Sequence, residues 1–229
     1  MTAVTGANKG SGVTQSRQVP TPLGDARILA DLADDPIATL VLGHGAGGGT
    51  TARDLVALAA GLPPRRVSVL RVEQPWRVRG GRVAPPPPRL DVGWLAALAE
   101  ARRLEPLWFA GPLLLGGRSA GARVACRTAD ELGALGVLAL SFPLHPPGRP
   151  DKSRLSELTS VAKPVLVVQG ERDPFGGPAE FPPGTRLHVV RSADHGLAVP
   201  ARAGVTQRDS LQLVVDAVHR WVEEVVAPR

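Results

Sequence analysis

The sequence predicts an α/β fold: a doubly wound, mostly parallel sheet with helices on both faces. Three observations carry that expectation. Short runs such as residues 37–42 and 67–72 are apolar almost without interruption, the pattern of strands buried on both faces. Segments with apolar residues at helical spacing lie between such runs. The glycine-rich and polar clusters follow the strand-like runs. Strands alternating with helices over this length build a parallel sheet with right-handed crossovers.

The elements follow in order. Residues 1–18 are rich in Gly, Thr, Ser and Ala and lack the apolar stretch of a secretory signal, so they are expected to be a disordered tail before a single domain over residues 19–229. Residues 27–32 read as an outer strand, closed by the turn-forming Asp34-Asp35-Pro36. The strand at 37–42 ends in His44-Gly45-Ala46-Gly47-Gly48-Gly49, and Thr50 or Thr51 then offers an N-cap to a helix with Leu55, Leu58 and Ala59 on one face. A second unit pairs the strand at 67–72 with a helix at 91–103, where Val92, Leu95 and Leu98 recur at helical spacing. The long loop between them holds Trp76, Gly80-Gly81 and four prolines at 85–88, read as a stiff extended surface segment.

Further strands are expected at 113–115, 137–142, 164–169 and 186–190. A helix follows the first of these through about Leu132, and the chain closes on an amphipathic helix with Leu211, Val214, Val215, Val218, Val222 and Val225 toward the core. The segment between Ser141 and Lys163 leaves little room for a cap, which implies an open site.

Composition narrows the function classes. At 229 residues the chain suits one domain with a full core. The net charge of +6 and pI near 10.8 would suit a polyanionic partner if the charge were clustered. It is not: lysine occurs only at Lys9, Lys152 and Lys163, arginine is scattered, and no basic run or recognition motif appears. No nucleic-acid partner is expected. No stretch reaches the roughly twenty apolar residues of a membrane span. Cys126 is the single cysteine, which rules out an intrachain disulfide and fits a reducing cytoplasm. No metal-ligand spacing is seen, and no metal or cofactor is expected.

The chemistry-bearing residues lie where strands end, the place where ligands bind in such sheets. Gly117-Arg118-Ser119-Ala120-Gly121 matches the G-x-S-x-G elbow, in which a serine hydroxyl stands at a sharp strand-to-helix turn. A serine hydroxyl is a weak nucleophile near neutral pH and needs a base, held in turn by an acid. The order Ser119, Asp173, His195 supplies both, each after its own strand; Asp194 and Glu171 are rival acids, and Asp194 adjoins the base too closely to orient it. The N–H groups of Ala46 and Ala120 are the expected oxyanion donors, Ala120 gaining from a helix N-terminus. A phosphate-binding loop is excluded by the lack of a G-K-[ST] ending. His44, Gly45, Trp76, Arg118 and His145 are candidates for a substrate pocket, Arg118 either binding an anion or pairing with a nearby carboxylate. Cys126 is expected to pack against the sheet.

Four segments carry a family resemblance: Leu42-Gly43-His44-Gly45-Ala46-Gly47-Gly48, Gly116-Gly117-Arg118-Ser119-Ala120-Gly121-Ala122-Arg123, Phe142-Pro143-Leu144-His145-Pro146-Pro147-Gly148, and Gln169-Gly170-Glu171-Arg172-Asp173-Pro174-Phe175-Gly176. Across most of residues 20–225 the chain resembles the α/β-hydrolase superfamily. Within it, the chain is similar to small hydrolases related to dienelactone hydrolases and to the testis-expressed and NSL-complex hydrolase-like proteins. The resemblance implies the same triad and a compact fold with little or no lid. Ser119 stands where dienelactone hydrolases carry cysteine, which points away from a lactone substrate. The expectation is hydrolysis of a small ester, thioester or related acyl bond of a small-molecule substrate; a silent binding or scaffold protein is the alternative. Oligomeric state is not readable from the sequence.

Overall fold

The computed structural model describes residues 13–228. Eight strands form one sheet: β1 (Gln15–Val19), β2 (Ala26–Asp31), β3 (Ala38–Gly43), β4 (Val67–Glu73), β5 (Leu113–Arg118), β6 (Gly136–Leu140), β7 (Val165–Gly170) and β8 (Leu187–Val190). Their order across the sheet is β1-β2-β4-β3-β5-β6-β7-β8. The pairs β1–β2 and β2–β4 are antiparallel, and every pair from β4–β3 onward is parallel. The expected mostly parallel α/β sheet is the architecture found.

The helices are α1 (Arg53–Gly61), α2 (Pro75–Val78), α3 (Pro87–Leu104), α4 (Ala120–Thr128), α5 (Leu155–Thr159) and α6 (Gln207–Val226). The core has two layers, because alternate residues of each strand point to opposite faces. One layer joins Leu40, Leu42 and Val69 of the sheet to Leu55 and Leu58 of α1 and to Val214, Val218 and Trp221 of α6. The other joins Val41, Leu70 and Leu115 to Leu90, Trp94 and Leu98 of α3 and to Val124 of α4. Arg127 of α4 forks onto Asp91 at 2.7 and 2.8 Å, while Arg123 and Arg127 both reach Glu157 of α5. These pairs tie down the helix that starts beside Ser119.

Four local expectations need correction. Gln15–Val19 is an edge strand, so the tail reading is overturned for residues 15–18; residues 1–12 lie outside the described residues. Only Val19 of that strand is buried, so backbone pairing to β2 holds it and its side chains leave no apolar rhythm to detect. Pro87 and Pro88 are not extended but open α3, where a ring with fixed φ and no N–H fits the first turn. Val92 is 47% exposed, and the buried face of α3 instead uses Leu90, Trp94, Ala97, Leu98 and Ala101. Finally, α1 is preceded by Ala52 with no side-chain cap, in place of a capping threonine.

Candidate active site

β3 lies centrally, with β4 on one side and β5 on the other, so the chain reverses its direction of winding between β3 and β5. Loops leaving two such strands diverge to opposite faces and leave a crevice. Gly43 at the end of β3 is in register with Gly117 at the end of β5, which brings the His44–Gly49 turn against the Ser119 turn. A Cβ on Gly117 would stand 2.6 Å from the Gly121 carbonyl carbon and 2.7 Å from the Gly43 oxygen. Only glycine allows that approach of strand, turn and helix.

Ser119 has φ 52° and ψ −110°, a left-handed conformation costly for a residue with a side chain. Its N–H donates to the Leu140 carbonyl at 2.9 Å, which fixes the turn to the neighbouring strand. The strained turn lifts its hydroxyl to the sheet edge. There Ser119 Oγ lies 3.0 Å from His195 Nε2, and His195 Nδ1 lies 2.8 and 3.0 Å from the two carboxylate oxygens of Asp173. With a carboxylate on Nδ1, that nitrogen carries the proton, so Nε2 accepts from the serine O–H.

Asp173 is fully enclosed at its side chain and is held by two further donors, the Phe175 N–H at 2.8 Å and Gln169 Nε2 at 2.9 Å. The Phe175 ring stacks on His195 with centroids 4.1 Å apart. His195 must reach across from beyond β8, and its loop crosses directly over the end of β7. A Cβ on Gly170 would be 2.7 Å from the Ala193 oxygen, so glycine makes that crossing possible. The rival acids are occupied elsewhere: Asp194 accepts from the N–H groups of Gly196 and Ala198, and Glu171 accepts from that of Ser192.

The candidate oxyanion donors Ala46 and Ala120 line one small cavity together. Ala120 is the first residue of α4, so its N–H belongs to the first-turn donors that have no partner within a helix. The orientation of Ala46 is set one residue earlier. The Gly45 carbonyl accepts from His44 Nδ1 at 2.8 Å and from the Gly48 N–H at 3.3 Å. In a trans peptide the C=O and the following N–H point in opposite directions, so anchoring the Gly45 oxygen aims the Ala46 N–H the other way. His44 Nε2 accepts from the Gln74 N–H at 3.1 Å, and burial holds its pKa below the ordinary value of 6.5, which keeps it neutral for both bonds.

The remaining candidates separate. Gly45 rests against Ser119, where a Cβ would be 3.4 Å from the serine Cβ. Trp76 is 6% exposed and lines the small cavity. Arg118 turns inward: its Nη2 donates to the His195 carbonyl at 2.9 Å and its Nε lies 3.3 Å from Asp54 Oδ2. Asp54 is fully buried, and burial raises its pKa while Arg118 opposes that rise. Of the two readings for Arg118, the carboxylate pairing is the one present. His145 points into the acid-bearing loop, with Nδ1 on the Pro146 carbonyl at 2.9 Å and Nε2 on Glu180 at 2.8 Å, and it lines neither cavity at this edge. Among the described residues no group of three or more His, Cys, Asp or Glu is placed to hold a metal ion.

A family model described as "Alpha/beta hydrolase domain" matches residues 36–223. The chain belongs to the α/β-hydrolase family. Its fold is shared with a lidless α/β serine hydrolase from Xanthomonas campestris at 18% identity and TM-score 0.69, covering 94% of this chain and 96% of that one. Est1E from Butyrivibrio proteoclasticus superimposes with TM-score 0.70 at 16% identity over 93% of this chain and 99% of its own. A dienelactone hydrolase from Anabaena variabilis does so with TM-score 0.69 at 17% identity over 93% and 97%. In this α/β hydrolase the segment between β6 and β7 carries the five-residue helix α5.

Several residues around the site were not assigned a role by sequence reasoning. Gln169, Phe175 and Asp54 act through contacts formed across loops, and no spacing rule announces them. The nearest signal was in plain view: Gln169 is a polar residue closing an otherwise apolar strand, and it is fully buried.

Proposed function

We propose that this α/β hydrolase is a serine hydrolase that cleaves a small ester, thioester or related acyl bond through an acyl-enzyme. The observation that carries the reading is the continuous hydrogen-bonded chain Ser119–His195–Asp173 beside the cavity lined by Ala46 and Ala120. Ser119 Oγ attacks the acyl carbon while its proton passes to His195 Nε2. Asp173 keeps the imidazole in the tautomer that accepts at Nε2 and stabilises the imidazolium that forms. The developing oxyanion takes the N–H groups of Ala46 and Ala120. Nε2–H then protonates the leaving alcohol or thiol. Water enters by the same route in reverse, giving its proton to His195 and releasing the acid.

The active unit in this reading runs from β1 to the end of α6 as one domain working in the cytoplasm, without metal or cofactor, on a small-molecule substrate. No nucleic acid or membrane is involved; no helix among the described residues is long and apolar enough to cross a membrane. Kinship with the testis-expressed and NSL-complex hydrolase-like proteins belongs to the same proposal.

The test is covalent labelling of folded protein by a fluorophosphonate, with a panel of p-nitrophenyl esters run in parallel. Labelling is expected at Ser119, and Ser119→Ala is expected to abolish it and to lower ester hydrolysis by about 10⁴-fold or more. Folded protein that neither labels nor hydrolyses any ester of the panel would overturn the reading in favour of a scaffold role.

A further inference from the structure

Two cavities meet at Trp76. The smaller, about 10 Å³, is lined by Ala46 and Ala120 together with Trp76, Trp94, Leu90 and Val124. The larger, about 340 Å³, is also lined by Trp76, with Leu23, Val83, Pro85 and Pro86 beside Arg79 and Arg89. Trp76 and Gln74 are the two residues common to both linings. The smaller space admits a group about the size of one water molecule or one methyl.

The chemistry of the proposed acyl transfer, on which this inference rests, says which part of a substrate faces that space. The carbonyl oxygen goes to the N–H groups of Ala46 and Ala120, two residues that line the cavity. The leaving group must stay within reach of His195 Nε2, which protonates it, and His195 is not part of the cavity lining. The acyl substituent is therefore the part directed between Trp76, Trp94, Leu90 and Val124. Leu90, Val124 and the two indole rings present mainly carbon surface, with the indole N–H groups of Trp76 and Trp94 buried and unpaired, and Trp94 is fully buried, so the seat has a firm floor.

We infer that Trp76 is the specificity-determining residue of this seat, restricting the acyl group to acetyl size by walling it off from the larger cavity. A longer chain meets the indole. The indole is held by its surroundings: its main-chain oxygen accepts from the Gly81 N–H at 2.9 Å, and a Cβ on Gly81 would be 3.2 Å from its ring. Replacing the indole by a methyl group joins the small seat to the larger cavity, where an acyl chain can lie along Leu23, Val83 and Pro85. Each methylene then buried adds about four-fold to the specificity constant.

The experiment compares p-nitrophenyl acetate, butyrate, hexanoate and octanoate on the wild type and on Trp76→Ala, with fluorophosphonate labelling of Ser119 measured on the same preparations. The leaving group is constant, so only the acyl seat varies. In the wild type kcat/KM is expected to fall at least ten-fold from acetate to hexanoate. In Trp76→Ala the order reverses, with hexanoate favoured over acetate by ten-fold or more. Trp76→Phe, which keeps an aromatic wall and guards against a misfolded alanine variant, is expected to move the cut-off by no more than two carbons. A wild type that labels yet hydrolyses long and short esters alike, or a folded Trp76→Ala variant with an unchanged profile, would overturn the seat and leave the hydrolase reading intact. Protein that neither labels nor hydrolyses any ester overturns both.

Discussion

Arg118 Nη2 donates to the main-chain carbonyl of His195 across 2.9 Å, so the residue immediately before Ser119 holds the loop that carries the facing imidazole. The same guanidinium contacts the buried carboxyl of Asp54 on α1, at a distance suited to an ion pair but out of hydrogen-bond alignment. One side chain thus spans three segments. Arg118→Lys keeps the charge near Asp54 and loses the planar fork. The expected result is a fall in kcat of about 10-fold with KM nearly unchanged, since positioning of reacting groups is lost while substrate contacts stay. Steady-state kinetics on an activated ester, at matched thermal stability, checks it.

From a fully buried position Gln169 Nε2 donates its two hydrogens to Asp173 at 2.9 Å and the Gly176 carbonyl at 2.8 Å, with the Phe142 carbonyl sharing one of them at 3.3 Å. Gln169→Leu removes these donors and leaves buried acceptors unpaired, at a cost of about 1–3 kcal/mol. Urea unfolding should show that loss. The variant should also lower kcat, because the carboxylate held against His195 has lost a partner that fixes its position.

Gly121 packs its Cα against the end of β3, and a Cβ there would clash with the Gly43 carbonyl. Gly121→Ala is expected to lower stability by about 3 kcal/mol, since the obstacle is backbone and cannot swing aside. A thermal melt showing no loss would mean the two segments sit farther apart than described.

His145 and Glu180 clamp the loop after β7 in a pH-dependent way. Hydrogen bonds to the Pro146 carbonyl and then to Glu180 hold the imidazolium above its ordinary 6.5. The Gly177 N–H and then His145 hold the Glu180 carboxyl below its ordinary 4.5. The carboxylate's contribution is present above 4.5 and lost as pH falls through its lowered value. That of His145 is complete below 6.5 and lost as pH rises through its raised value. The difference in Tm between wild type and His145→Gln should be largest between the lowered value of Glu180 and the raised value of His145 and should shrink as pH rises through the latter, and it should reflect no more than about 1 kcal/mol for a pair with one solvent-exposed partner.

Cys126 is buried, and burial pushes its thiol up to about 12. Iodoacetamide at about pH 8 should leave folded protein unmodified and alkylate it only after denaturation, because the reactive species is the thiolate. Mass spectrometry of intact protein distinguishes the two.

The parallel strands could be read from the sequence because a strand covered on both faces has to be apolar throughout, as 37–42 and 67–72 are. β1 could not, because Gln15, Ser16, Arg17 and Gln18 all face solvent and the strand exists through its neighbour's backbone. The three residues Ser119, Asp173 and His195 were legible because each closes a strand in a known order. Arg118 was named with two roles, and its pairing with Asp54 could not be foreseen because Asp54 lies 64 positions earlier in the chain. The short helix at Trp76 and the cavity beside it come from packing of α2 against α3, a relation with no periodic signature.

The layer formed by α1 and α6 has a kinetic consequence. These are the first and last described helices, and Leu55 and Leu58 of one share their cluster with Val214, Val218 and Trp221 of the other. During synthesis that face of the sheet is covered only by α1 until residues near 221 have emerged, leaving its remaining apolar strands bare to other chains. Contacts so distant in sequence are slow to form. Folding of this protein should therefore be limited by arrival of its final helix, and removing that helix should yield aggregated chain in place of a smaller enzyme.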